Sequence, residues 1–168
     1  FCLAAALFAS SASGQSRQPD VIFVPTPQEV VEDMLRLADV KKGDVLYDLG
    51  SGDGRIAVTA AKKYGIRATG IDIDPERIKE ANENAKKAGV TKLVEFRQED
   101  LFKARFKDAT VVTLYLLPDL NVKLRPRLLA ELKPGTRIVS HQFDMGGEWP
   151  PERAQEVNGL MIYLWTIR

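Results

Sequence analysis

The fold is decided by the stretch Val45-Leu-Tyr-Asp-Leu-Gly-Ser-Gly-Asp-Gly-Arg55. Its first five residues are mostly apolar and are bounded by glycines, which is the pattern of a short buried strand. Glycines follow at alternate positions, Gly50, Gly52 and Gly54, where the missing Cβ allows tight turns and close approach of a ligand. A helical pattern then begins near Arg55, and the free N–H groups of a helix start favour an anionic ligand group. The stretch therefore predicts a strand, a ligand-binding loop and a helix.

The loop does not match the dinucleotide-binding pattern. That pattern requires a third glycine where this chain has Arg55, so a nicotinamide-dependent dehydrogenase is disfavoured. The strand also ends in Asp48, which would repel a pyrophosphate but would suit a ligand that carries an ammonium group. The alternative interpretation is a glycine-rich turn with a purely structural role.

The composition limits the kinds of site that the chain can build. At 168 residues it suits one domain, and 24 basic against 23 acidic residues leave no clear nucleic-acid footprint. The only cysteine is Cys2 and the only histidine is His141. A disulfide framework, a cysteine-based metal site and a multi-histidine metal centre are thus excluded, and no metal is expected.

The first residues resemble the end of a secretory signal peptide. Residues 2–9 form an uncharged apolar run, and residues 10–15 are small or polar, as a signal peptidase accepts. We expect a leader over 1–14, truncated at its start because the chain opens on Phe1, then a linker over 15–25 and a domain over 26–168. This leader predicts export to the periplasm or the medium, or membrane anchoring if a longer upstream part exists. A cytoplasmic location follows if the leader is not a true signal.

Strands and helices alternate along the rest of the chain. Helices are predicted over 27–38, 54–64, 75–88 and 118–132, the last broken near Pro126, and strands over 45–49, 67–72, 90–97, 109–116 and 136–142. Thr26 is expected to cap the first helix in a capping box with Glu29. This alternation predicts a parallel sheet with helices on both faces. Residues 153–157 and 160–167 flank Asn158-Gly159, which predicts a terminal hairpin with a type I′ turn.

Acidic residues stand at the ends of three consecutive predicted strands. Asp48 ends the first strand, Asp72 the second and Asp100 follows the third. Ligands of such sheets bind outside the carboxyl ends of the strands, so these carboxylates are expected to lie together. Asp72 would accept hydrogen bonds from both hydroxyls of a ribose, and Asp100 from an adenine amine. The alternative is that Asp72, like Asp74, is a helix cap or a surface charge.

The loop, followed by these acids, resembles motif I of the class I S-adenosylmethionine-dependent methyltransferases, and the resemblance covers nearly all of 26–168. It implies a Rossmann-like, mostly parallel sheet of order 3-2-1-4-5-7-6 with helices on both faces and a C-terminal antiparallel hairpin. It also implies S-adenosylmethionine as the cofactor, with the adenine ring packed against Ile73 or Leu101. The implied cofactor-binding residues are Asp48, Gly50, Ser51, Gly52, Asp53, Asp72, Ile73, Asp100 and Leu101.

Within that class, three segments resemble the small protein-lysine methyltransferases of the ATP synthase c-subunit and the adenine nucleotide translocase, with their prokaryotic relatives. These segments are Val24-Pro-Thr-Pro27, the glycine loop and Lys133-Pro-Gly135. The resemblance implies a protein-lysine acceptor and makes Pro25 and Thr26 secondary candidates for enclosing the cofactor. A small molecule or RNA as acceptor, or an exported cofactor-binding protein without catalysis, remain alternatives.

The sequence identifies no catalytic base. His141 and Asp144, after the fifth strand, are candidate rim groups, while Tyr115 and Trp149 are candidates for lining the acceptor site. No Asn/Asp-Pro-Pro-Tyr/Phe motif follows the fourth strand, which disfavours methylation of a base amine. The domain also lacks a cysteine nucleophile for cytosine C5 chemistry.

Overall fold

The computed structural model describes residues 23–168. The predicted leader, 1–14, and the linker up to residue 22 lie outside the described residues. The helices are α1 (Gln28–Leu37), α2 (Arg55–Tyr64), α3 (Pro75–Ala88) and α4 (Pro118–Glu131). The strands are β1 (Val45–Leu49), β2 (Arg67–Asp72), β3 (Val94–Gln98), β4 (Val111–Leu114), β5 (Arg137–His141), β6 (Arg153–Val157) and β7 (Leu160–Thr166).

All seven strands of the described chain form one sheet of order β3-β2-β1-β4-β5-β7-β6. The first five strands pair in parallel, whereas β7 is antiparallel to both β5 and β6. The predicted order and the terminal hairpin are therefore confirmed. The strands after β1 are added on one side of it up to β3, and from β4 onward on its other side. Ligands of such sheets bind at this switch point between β1 and β4.

The core has two main parts because strand residues alternate between the faces of the sheet. Leu46 of β1 belongs to the cluster that packs beneath α1 and α2, whereas Tyr47 belongs to the cluster that packs beneath α4. A smaller cluster joins α2 to α3 through Ala61 and Ala85. Helices thus cover both faces, as predicted. No helix within residues 23–168 combines the length and apolar character needed to cross a bilayer.

The predicted cap of α1 is wrong. Pro27 occupies the N-cap position and no side chain caps the helix. The hydroxyl of Thr26 is instead hydrogen-bonded to the ring of His141, and the carboxylate of Glu29 accepts from the side chain of Asn158. Both residues of the expected capping box are thus used in contacts with distant parts of the chain.

The predicted break in the last helix is also wrong, because α4 continues through Pro126. Proline removes one helical hydrogen bond, the one to the carbonyl of Val122. Val122 is an exposed residue, so water can take the place of the missing donor. The strands β3 and β4 are shorter than predicted, and the N–H of Leu93 donates to Val90 in a turn before β3.

The terminal hairpin follows the predicted turn chemistry. Asn158 and Gly159 have φ values of 51° and 79°, as a type I′ turn requires. The segment 142–152, which connects β5 to the hairpin, forms neither a helix nor a strand.

Candidate active site

A cavity of about 280 Å³ opens at the carboxyl ends of the parallel strands. This is close to the lower limit of small-molecule sites, about 300 Å³. Residues from the segment before α1 and from the ends of β1, β2, β3, β4 and β5 line it. They include Phe23 to Thr26, Asp48, Gly50, Ser51, Asp53, Asp72, Ile73, Asp100, Leu101, Tyr115 to Leu117, Leu120 and Phe143.

The glycine loop is fixed by main-chain bonds across the sheet. The N–H groups of Gly50 and Ser51 donate to the carbonyl of Ile71 in β2 at 2.8 and 2.9 Å. Gly50 has a φ of 87°, and a Cβ at this position would lie 2.9 Å from a methyl group of Leu116. Ser51 lines the cavity, but its Oγ is buried and has no hydrogen-bond partner within residues 23–168.

The carboxylate of Asp72 is held in place by two main-chain donors. One oxygen accepts from the N–H of Gly52 at 2.8 Å, and the other accepts from the N–H of Asp74 at 3.0 Å. Each carboxylate oxygen has a second lone pair, so both can also accept from a ligand. The orientation of the Asp72 carboxylate is therefore fixed by the main chain. Asp74 has a different role, since it caps α3 by accepting from the N–H of Glu76.

Asp48 is the most deeply buried acid of the cavity. The pKa of its carboxyl group is raised to about 7, mainly by burial and also by the nearby carboxylates of Asp72 and Asp53, against the lowering effect of the Thr113 hydroxyl. That hydroxyl donates to Asp48 at 2.8 Å. A cationic ligand group beside Asp48 would favour the ionised form.

Asp53 and Arg55 link the glycine loop to the segment before α1. The Arg55 side chain donates to both carboxylate oxygens of Asp53 and, through one terminal nitrogen, to the carbonyl of Thr26 at 2.9 Å. Arg55, which replaces the third glycine of the dinucleotide pattern, thus joins two walls of the cavity.

Gly52 lies beneath the cavity wall rather than on its surface. A Cβ at Gly52 would lie 2.1 Å from the ring of Phe23, which also packs against the guanidinium of Arg77 at 4.9 Å. The absence of a side chain at Gly52 therefore provides the space that Phe23 occupies.

The third strand end contributes the apolar and acidic groups that were predicted there. Asp100, Leu101 and Phe102 line the cavity, as does Ile73 from the end of β2. One oxygen of Asp100 accepts from the N–H of Phe102 at 2.9 Å, which orients the carboxylate.

The side of the cavity beyond β1 is lined by the residues that we call the acceptor-side wall: Tyr115, Leu116, Leu117, Leu120 and Phe143. These residues follow β4 and β5 or lie on α4, and none of them carries a formal charge. In contrast, every acid of the cavity lies at the β1, β2 or β3 end. The cavity is thus divided into an acidic half and an apolar half.

Trp149, predicted to line the acceptor site, and the predicted rim groups His141 and Asp144 do not line the cavity. Trp149 packs on Trp165, whose indole N–H donates to the Trp149 carbonyl, so Trp149 serves the core beneath α4. Asp144 is exposed and accepts from the N–H of Gly146. His141 is buried behind Tyr115 and does not line the cavity.

Sequence reasoning missed Phe23, Arg55, Arg77 and Phe143, all of which line the cavity. Arg55 carried a signal, because it stands where the dinucleotide pattern has glycine. The others carried none, since single aromatic and basic residues outside a motif look like ordinary packing or surface residues. No group of three or more side chains placed to bind a metal occurs within the described part of the chain.

Comparison with known proteins agrees with this geometry. The model of the ANTKMT methyltransferase domain family matches residues 48–153. A protein-lysine N-methyltransferase of Saccharolobus islandicus is 46% identical over 153 residues, which cover 89% of this chain and 95% of that protein. The mouse lysine N-methyltransferase of the ATP synthase c-subunit is 33% identical over 130 residues, and the match covers 77% of this chain and about half of that protein (51%).

A solved structure is similar over most of the chain. It is described as an RNA methyltransferase from Salinibacter ruber in complex with S-adenosyl-L-homocysteine. It is 60% identical, has a TM-score of 0.84, and the match covers 86% of this chain and 94% of that one. From the family match, from these similarities and from the fold, the chain belongs to the ANTKMT methyltransferase domain family and is a methyltransferase.

Proposed function

We propose that this enzyme transfers the methyl group of S-adenosylmethionine to the side-chain amine of a lysine in a protein. The observation that carries the proposal is the similarity, over nearly the full length of both chains, to the Saccharolobus protein-lysine N-methyltransferase. The division of the cavity into an acidic half and an apolar half supports it, since the first suits the donor and the second an aliphatic amine.

The acidic half fits S-adenosylmethionine group by group. The cofactor's ammonium group would lie beside Asp48, its ribose hydroxyls would donate to Asp72, and its adenine amine to Asp100. Ile73 and Leu101 would pack on the adenine ring. The main chain of the loop, at Gly50, Ser51, Gly52 and Asp53, would enclose the amino-acid end.

The preset carboxylate of Asp72 accounts for much of the expected affinity. A hydrogen bond to a charged acceptor contributes about 1.5–3 kcal/mol. Because Gly52 and Asp74 already hold the carboxylate, little side-chain freedom remains to be lost on binding. The fixed geometry also helps to place the donor in line with the acceptor.

The cofactor supplies an activated methyl group, so the protein has mainly to align the acceptor and exclude water. A lysine amine must also lose its proton, which at pH 7 costs about 4.6 kcal/mol from a free pKa near 10.4. The acceptor-side wall favours this loss, because an apolar surrounding lowers the pKa of an amine. It also places no carboxylate beside the amine that would hold the proton.

RNA is the second candidate acceptor, because the similar Salinibacter ruber structure is described as an RNA methyltransferase. The charges of the cavity lining favour a protein over RNA as the methyl acceptor. Its lining carries the guanidinium groups of Arg55 and Arg77 against the carboxyl groups of Asp48, Asp53, Asp72, Asp74, Glu99 and Asp100. Phosphates next to such a lining would be repelled, and the whole chain has a net charge of only +1.

The two acceptors can be separated in one experiment. The purified protein and an Asp72→Asn control are incubated with methyl-labelled S-adenosylmethionine and with nuclease-treated cell protein or protease-treated cell RNA. We expect label in protein, located on lysine by mass spectrometry, and no label with the control. Label in RNA alone would overturn the lysine proposal, and label in neither fraction would contradict a macromolecular acceptor.

A further inference from the structure

The ring of Tyr115 in the acceptor-side wall lies between two other rings. His141 packs behind it, with ring centroids 4.0 Å apart and planes inclined by 42°. Phe143 is stacked beside it, with centroids 6.3 Å apart and planes inclined by 21°. Tyr115 and Phe143 line the cavity, whereas His141 does not. The orientation of the cavity-lining ring is therefore supported from behind by a residue that no ligand in the cavity would contact.

His141 is itself held by Thr26, a residue of the segment before α1 that also lines the cavity. Its Nδ1 is hydrogen-bonded to Oγ1 of Thr26 at 3.1 Å, and the imidazole is almost fully buried. The carbonyl of Thr26 accepts from Arg55, which is paired with Asp53 of the glycine loop. A continuous set of contacts thus runs from the glycine loop through Thr26 and His141 to Tyr115.

We propose that His141 is a positioning residue for methyl transfer, which fixes the ring of Tyr115 as the surface against which the acceptor side chain lies. The role rests on the proposed function, since it concerns the acceptor of that reaction. The amine-bearing chain of a lysine is aliphatic, so it would lie flat on the rings of Tyr115 and Phe143 while its nitrogen faces the methyl donor. A shift of the Tyr115 ring by about 1 Å would misalign that nitrogen and cost on the order of 100-fold in rate.

A direct role for His141 as a proton acceptor is disfavoured by the same geometry. Its Nε2 is buried and has no hydrogen-bond partner within residues 23–168, so it does not face an open site. Burial also lowers the pKa of the imidazole to about 4, which makes it a weak base. The neutral ring is suited to packing against Tyr115 and to a single hydrogen bond with Thr26.

The test compares variants that differ in which contacts of His141 they remove. His141→Ala removes both contacts, His141→Phe keeps a ring behind Tyr115, and Tyr115→Ala removes the supported ring itself. Thr136→Val is the matched control: its buried hydroxyl donates to the carbonyl of Ala109 at the opposite end of β5. Circular dichroism and thermal unfolding establish that each variant is folded before kinetics are measured.

We expect His141→Ala and Tyr115→Ala to lower kcat/KM for the protein acceptor by about tenfold or more, with the Kd for S-adenosylmethionine changed by less than about twofold. His141→Phe should recover most of the loss, because it restores the ring, and Thr136→Val should leave the kinetics unchanged. Equal losses in cofactor affinity and acceptor turnover for His141→Ala would overturn the proposal, as would wild-type turnover in that variant.

A second measurement does not depend on the acceptor. The chain has four tyrosines. When fluorotyrosine is incorporated, each of them gives a ¹⁹F resonance. The resonance of Tyr115 is assigned because it is missing from the spectrum of Tyr115→Phe. We expect the Tyr115 resonance to shift and broaden in His141→Ala but not in Thr136→Val. An unchanged resonance would refute the positioning role. Absence of lysine methylation by the wild type, with the shift present, would instead refute the proposed function alone.

Discussion

Thr26 and His141 are joined by a buried hydrogen bond although they are 115 residues apart in the chain. Thr26 belongs to the segment before α1 and His141 is the last residue of β5. The segment lies over the carboxyl ends of the strands, where Pro25 and Thr26 line the same cavity as the glycine loop. The C-terminal half of the sheet therefore contacts this segment, which Arg55 also holds through the carbonyl of Thr26.

Asp72→Asn is expected to weaken S-adenosylmethionine binding by about 10- to 100-fold, because a neutral amide accepts weaker hydrogen bonds than a carboxylate. The amide also places a donor where one of the main-chain N–H groups now donates. Calorimetric titration measures the effect, and Asp39→Asn, an exposed position away from the cavity, is the control. Equal affinity in Asp72→Asn and wild type would contradict the assignment of Asp72 to the ribose.

Asp48 is expected to make cofactor binding depend on pH. Its pKa is raised to about 7 in the free protein, and an ammonium group beside it requires the ionised form. Affinity should therefore fall about tenfold per pH unit below pH 7, as the carboxyl must first lose its proton. Titrations between pH 5.5 and 7.5 (about two units) in buffers of different ionisation enthalpy measure the proton released. Asp48→Asn should bind weakly with no such slope; a slope that persists in this variant would contradict the prediction.

The carboxyl group of Asp48 should also make the stability of the folded protein depend on pH. Between the unfolded pKa of 3.8 and the folded pKa of about 7, the folded protein binds more protons than the unfolded chain. The contribution of Asp48 to stability is therefore complete below pH 3.8 and is lost as the pH rises through 7. The free energy of unfolding of Asp48→Asn minus that of wild type should therefore be larger at pH 8 than at pH 5, as measured by urea unfolding. A difference that does not change with pH would contradict this.

Gly52→Ala should weaken cofactor binding more than backbone strain alone explains. Its Cβ would lie 2.1 Å from the Phe23 ring, so the ring must leave the cavity wall. Gly89→Ala is the matched control, because Gly89 also has a positive φ, 71°, but no atom within 4 Å of the added Cβ. Both variants should lose about 1–2 kcal/mol of stability from the left-handed backbone. Only Gly52→Ala should lose affinity, and equal affinities would contradict the packing argument.

Arg137→Met should destabilise the protein without affecting the site. At the opposite end of the sheet, the buried carboxylate of Asp44 is paired with the side chain of Arg137 and accepts from the Thr110 hydroxyl. Removal of one partner from a buried pair costs about 3–5 kcal/mol, because the other charge is left buried and unpaired. Urea unfolding should show this loss, while the Kd for S-adenosylmethionine stays unchanged. A matching loss of cofactor affinity in the folded variant would contradict the separation of the two ends.

The sequence was informative where a residue's role depends on its immediate neighbours. Gly50 and Gly54 follow a buried strand, and their positive φ values were implied by that position. Asp74 was expected to cap α3 and does so, because its partner is the N–H of Glu76, two residues on. The Asn158-Gly159 turn fixed the hairpin for the same reason.

The sequence was misleading where a contact with a distant residue replaces the expected local contact. Thr26 and Glu29 have the spacing of a capping box, but His141 and Asn158 take their side chains instead. Trp149 follows β5, as an acceptor-site residue would, yet the chain turns it onto Trp165 in the core. Pro126 was expected to break a helix, but the orphaned carbonyl lies at an exposed residue and the packing of Leu124 and Leu128 maintains α4.

By itself, the sequence thus determined the order of strands and helices, the glycine loop and the acids at the strand ends. Each of these follows from periodicity, turn chemistry or position along a parallel sheet. The tertiary structure alone decided which side chains meet: Phe23 over Gly52, Arg55 on Thr26, and Thr26 on His141 behind Tyr115. These contacts join residues far apart in the chain, and their energies depend on burial and distance, which only the folded arrangement of the strands sets.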